Sequence, residues 1–97
     1  MSDNRIAITP DELQGVSKNF LQKAEEIRET VNYLRQQVGA LDGSWEGAAK
    51  TQFFVNFEEA LKGFDQLPEA TEGLANELTS IAKTIGDLDD EMASQMR

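Results

Sequence analysis

The chain has 97 residues, nine basic and 18 acidic, giving a net charge of −9, and it contains no cysteine and no histidine. That charge disfavours nucleic acid and anionic membranes. The two missing residue types remove disulfides, thiol chemistry, the usual general base and the usual zinc ligands.

One small domain spanning residues 1–97 is expected, since chains of this size bury only about two-thirds of their unfolded surface. The opening stretch MSDNRIAITPDELQG lacks the apolar run of a Sec signal peptide. No segment approaches the roughly 20 apolar residues of a membrane span.

The first helix starts at Thr9-Pro10-Asp11-Glu12, with Thr as N-cap, Pro at the first helical position and Glu three residues on. This is the pattern of a capping box. Ile8 and Leu13 flank it at the spacing of a hydrophobic staple. Leu13, Phe20, Ile27, Leu34 and Leu41 then recur every seven residues, with Val16, Ala24, Val31 and Val38 between them. That is an amphipathic stripe over about 9–42.

Gly43 stands where a helix end wants a left-handed residue, and Ser44 is suited to cap the next helix. The second stripe runs from Phe53 and Phe57 through Ala60, Phe64, Leu67, Leu74, Leu78, Ile81, Ile85 and Leu88 to Met92, with Thr71 in one slot. It predicts a helix over about 48–92 followed by a flexible tail. Pro68 predicts a kink near residues 64–68 or a break into two helices.

The fold class is therefore all-α: an antiparallel helical hairpin with its turn at 43–47. Two helices cover only part of stripes this wide. A few hundred Å² of wet apolar surface, at about 25 cal/mol per Å², forgoes several kcal/mol. Dimerisation into an elongated four-helix bundle is expected, with Leu13, Phe20, Ile27, Leu34, Phe53, Phe57 and Phe64 as core or dimer residues.

The turn carries the only tryptophan, in LDGSWEGAAK at residues 41–50. One reading has Trp45 plugging the end of the helix pair while the glycines let the chain turn. A second notes that Trp45-x-Gly47 sits at mid-chain, in the turn of a hairpin about one hundred residues long. In this the chain resembles the WXG family of early-secreted-antigen-like proteins, the substrates of type VII secretion systems, over its whole length.

The resemblance implies a dimer of hairpins exported from a cytoplasmic pool without a Sec signal. It also implies that Trp45 lines a groove near the partner's tail, with Gly47 supplying space. A tyrosine-type export signal is missing, because the only tyrosine, Tyr33, has Gln37 four residues on. Ile85, Asp89, Met92 and Met96 instead match the hydrophobic/Asp pattern of family members from low-GC Gram-positive bacteria. Offsets of 4, 7 and 11 put all four on one helix face. The alternative is that the apolar stripe simply continues to the chain end with Asp89 solvated. This version of the signal favours a homodimer over a pair of relatives.

Catalytic readings fail on the residues. Counting an EF-hand from Asp87 leaves eleven residues and puts Met92 where glycine belongs. No phosphate loop and no paired nucleophile occurs, so no enzyme activity, cofactor or metal is expected. Lys18, Lys23, Arg28 and Arg35 among Glu25, Glu26 and Glu29 read as a solvated face.

The functional expectation is a secreted type VII substrate, effector or co-secretion adaptor. Its partners are a second copy, the secretion ATPase and a co-secreted protein, without strong membrane binding. The alternative is a cytosolic helical-bundle adaptor or chaperone that is never exported.

Overall fold

A computed structural model describes residues 8–95. Two helices account for nearly all of them: α1 (Pro10–Gly39) and α2 (Ala48–Gln95). The molecule is a rod of 77 × 26 × 15 Å with a radius of gyration of 22.1 Å, whereas a compact domain of this length would have about 13 Å. A rod this thin has no central core. Its interior is the line where the two helices meet.

The start of α1 follows the capping box. Thr9 has extended backbone, its Oγ1 accepts from the Glu12 N–H at 3.1 Å, and its own N–H donates to Glu12 Oε1 at 3.0 Å. The proline at the first helical position has no N–H to leave unpaired.

The middle of the seam is built from small side chains, Ser17, Ala24, Ala75 and Ala82. On α1 the whole seam consists of Leu13, Ser17, Ala24 and Val31, and on α2 of Leu61, Pro68, Ala75 and Ala82. The α2 members recur every seven residues, the repeat that keeps one stripe facing a partner helix. Alanine and serine let the two backbones approach closely. Buried Ser17 Oγ accordingly donates to the Ala75 carbonyl at 2.8 Å and lies 2.9 Å from Thr79 Oγ1. Its polar atom is thus satisfied where it would otherwise cost stability.

Pro68 belongs to this seam. The helix continues through it from Ala48 to Gln95, so the expectation of a break into two helices is not met. The proline supplies no donor for the Phe64 carbonyl, and its buried ring packs at the seam.

At about 100° per residue, the other series on α2 fall at fixed angles from the seam. The series Phe57, Phe64, Thr71, Leu78 and Ile85 lies about 50° to one side and is mostly half-buried. The series Phe53, Ala60, Leu67, Leu74, Ile81 and Leu88 lies about 100° round and is exposed throughout. On the opposite flank stand Glu58, Asp65 and Glu72.

α1 is arranged to match, with Phe20, Ile27 and Leu34 on one side of its seam and Arg28 and Arg35 on the other. Antiparallel packing brings the ionic flanks together. The Arg28 guanidinium donates to both Glu72 oxygens at 2.7 and 2.9 Å. Arg35 bridges Glu58 at 3.1 Å and Asp65 at 2.8 Å.

The hydrogen bond from Arg28 holds the Glu72 carboxyl below its ordinary value, with the guanidinium charge acting in the same direction against the desolvation effect. The same bond raises Arg28. Because the folded carboxyl is depressed, its contribution is fully present above the unfolded carboxylate range and is lost as pH falls through the folded value. Thermal melts should therefore show Glu72→Gln below the wild type at about pH 7, with the gap narrowing as pH falls below the ordinary carboxylate range. A gap that persisted unchanged at low pH would contradict this assignment.

Candidate functional site

After Gly39 the chain descends through a series of tight turns. Ala40 caps α1 in right-handed conformation, its N–H donating to the Gln36 and Val38 carbonyls. Leu41 N–H then bonds Val38 O at 3.0 Å, Asp42 N–H bonds Gly39 O at 3.1 Å and Ser44 N–H bonds Leu41 O at 3.1 Å. Ser44 Oγ also points back, donating to Leu41 O at 3.4 Å. Ser44 thus finishes the first helix rather than capping the second, contrary to the expectation from sequence.

The left-handed residue is likewise not Gly43. Among the described residues only Gly47 has positive φ, at +110°. Gly47 occupies the N-cap position of α2, its carbonyl accepting from Thr51 N–H at 3.3 Å. A Cβ built there meets nothing within 4 Å. Within one copy, then, Gly47 is required for its backbone conformation and not for the space it leaves.

Trp45 sits two residues before this reversal and is half-buried. Its ring lies 5.6 Å from that of Phe53, tilted by 47°. Phe53 in turn stacks on Phe57 at 6.1 Å and meets Phe54 edge-on at 6.1 Å. The indole therefore caps an aromatic ladder that runs down the bulky side of α2. It closes the end of the hairpin and is also the first member of an exposed apolar face.

That face holds most of the residues assigned to core or dimer from sequence, and the structure sorts them. Leu13 lies in the seam. Phe20, Ile27 and Phe57 are half-buried beside it, while Leu34, Phe53 and Phe64 are exposed. Ile27, Val31, Leu34, Phe64 and Leu67 line an open apolar groove of about 440 Å³ between the helices. Farther along α2, Leu74 remains 51% exposed and Leu88 54%. The residues that sequence reasoning passed over are the seam's own: Ser17, Leu61, Ala75, Ala82 and Pro68. Their signal was present as the seven-residue recurrence 61, 68, 75, 82, masked by a proline and by the small size of Ala75 and Ala82.

The tail residues lie at the opposite end of the rod. Ile85 is half-buried, Asp89 and Met92 are exposed, and Ile8, Ile85, Leu88, Asp89 and Met92 share one shallow groove. Met96 lies outside the described residues. Ser17 pairs with Ala75 and Thr79, so α1 begins opposite about residue 84, and the last eleven or so residues of α2 run past it for roughly 16 Å. Asp89 occupies the next seam position after Ala82, but beyond the reach of α1. Turn and tail stand about 65 Å apart along α2, so one copy cannot bring Trp45 to Met92.

A family model for proteins of 100 residues with WXG matches residues 5–90. Among curated proteins the chain is similar to Protein YukE of Bacillus subtilis, 26% identical over 92 residues and 95% of each chain. It is also similar to type VII secretion system extracellular protein A of Staphylococcus aureus, 22% identical over 89 residues and 92% of each chain. Among solved structures it superposes on EsxA of Geobacillus thermodenitrificans with a TM-score of 0.82 at 29% identity, covering 92% of this chain and 99% of that one. The wild-type secreted protein EsxB of Bacillus anthracis gives 0.80 at 30% identity, covering 90% of this chain and 99% of that one.

The turn geometry has a direct test. Gly47→Ala forces a side chain into a backbone region it disfavours and should lower unfolding free energy by about 1–2 kcal/mol in urea titration. Gly43→Ala, with no positive φ to hold and open space at its Cβ, should stay within about 0.5 kcal/mol of the wild type.

Proposed function

The chain belongs to the WXG100 family of proteins, and from that premise we propose that it is a non-enzymatic substrate of a type VII secretion system, secreted as a folded dimer. One observation carries the reading. A series of large apolar side chains, Phe53, Leu67, Leu74, Ile81 and Leu88, interrupted only by Ala60, stays exposed along α2 of a chain whose relatives include an extracellular protein of such a system. Monomeric proteins seldom leave so long an apolar band in water. A second copy laid alongside is the partner whose shape and length match it.

An antiparallel arrangement of two hairpins suits the rod. It covers the exposed face and the central groove of each copy, and it brings the tail of one beside Trp45 of the other. The joint surface then combines the aromatic ladder at the turn with the ridge of Ile85, Asp89, Met92 and Met96. The membrane-bound secretion ATPase reads that surface, either for export of the dimer itself or for a co-secreted protein. An apolar ridge interrupted by one carboxylate offers a receptor both buried area and a directional polar contact.

Two experiments test this. Leu74→Glu puts a charge into the proposed interface while leaving the seam untouched. It should weaken dimerisation at least about tenfold by analytical ultracentrifugation while far-UV circular dichroism stays helical. Deletion of residues 84–97 should leave a helical dimer but abolish its appearance in the medium of a producing culture. Continued export of the deleted protein would remove the tail assignment.

A further inference from the structure

Lys50 occupies an unfavourable place by the rules of helix electrostatics. It lies in the first turn of α2, three residues after Gly47, where the helix dipole and the capping-box pattern both favour an acid, and no acidic residue stands there. It is also the least exposed of the ion-paired lysines among the described residues. Its side chain is 23% accessible, against 69% for Lys23, 71% for Lys62 and 76% for Lys83.

The ammonium reaches back across the loop while staying over a ring of its own helix. It donates to the Asp42 carbonyl oxygen at 2.9 Å, pairs with Asp42 Oδ1 at 2.8 Å and lies 5.9 Å from the centre of the Phe54 ring. A cation over an aromatic face adds to the attraction. One side chain thus fastens the far side of the loop, at Asp42, to the first turn of α2. Between those two anchors sits Trp45, whose ring rests on Phe53.

We propose that Lys50 is the positioning residue of the turn motif: by tying Asp42 to α2 it fixes the loop in the one path that lays Trp45 on Phe53. The consequence for export rests on the dimer-and-docking reading above, whereas the geometric claim does not. The chain carries a single tryptophan, so its fluorescence reports Trp45 alone.

The experiment compares acrylamide quenching and emission wavelength in the full-length wild type, Lys50→Met and Lys50→Arg. Lys50→Met keeps the length and apolar stem but loses the charge and the donors. It should raise the quenching constant about twofold and shift emission to the red, with helicity and sedimentation unchanged. Lys50→Arg retains charge and donors and should restore values near those of the wild type. Unchanged quenching in Lys50→Met overturns the proposal.

If Lys50→Met loses helicity, Asp42→Asn decides. It leaves the Asp42 carbonyl bond in place and removes the ionic one, so an intermediate rise supports the proposal and no change overturns it. An export assay of Trp45→Ala separates the two levels. Undiminished secretion sinks the docking reading but leaves the quenching result to judge Lys50 by itself.

Discussion

The close approach of α1 and α2 along Ser17, Ala24, Ala75 and Ala82 is the constraint from which the other features follow. Side chains this small leave almost no interior, so burial inside one hairpin stabilises it only modestly, and register has to come from directional contacts. Ser17 reaching the Ala75 carbonyl supplies one such contact. The two arginine bridges supply the rest, on the flank where they remain hydrated. Individually such surface pairs contribute little. Their value here lies in geometry, because a slip of one helical turn would separate Arg28 from Glu72 and leave the Ser17 hydroxyl facing the wrong carbonyl.

A narrow seam also decides where the large residues go. Leucine enters the seam only at its two ends, as Leu13 and Leu61, and the other large residues of α2 lie about 50° and 100° round from it, on the side away from the ion pairs. The molecule is consequently two-sided, ionic on one flank and apolar on the other. Trp45, Phe53 and Phe57 begin the apolar flank at the turn, and Leu88 and Met92 end it near the tail. The surface proposed to meet a second copy and the surface proposed to be read at export are therefore continuous.

Much of this was legible in the sequence. Thr9 through Glu12 specified the start of α1 to the residue, since a capping box is a local device with few alternatives. The two stripes specified a hairpin, because a short turn between long amphipathic helices permits little else. The choice of seam was not legible. Apolar periodicity shows how wide a face is but not which part of it meets the sibling helix. That choice was made by residue size, which hydrophobicity weighting discounts. The turn differs from expectation for a similar reason. Gly43 and Gly47 are equally permissive, and the decision between them came from the bonds that Leu41 and Asp42 make back to α1 and Ser44 makes to Leu41, which continue the turns past Gly43. Pro68 suggests a break because a proline costs one backbone bond, yet the same ring fills a seam position whose repeat is maintained on both sides.

The cross-links of the hairpin are graded by the length of chain they enclose. Lys50 reaches back eight residues to Asp42 and Arg35 spans 23 and 30 to Glu58 and Asp65, whereas Arg28 spans 44 and Ser17 spans 62. Loop closure is least costly for the shortest of these, so the hairpin can close like a zip from its bend outward, each link shortening the search for the next. Traction on the free ends would run the same order backward, parting Ser17 first and Lys50 last.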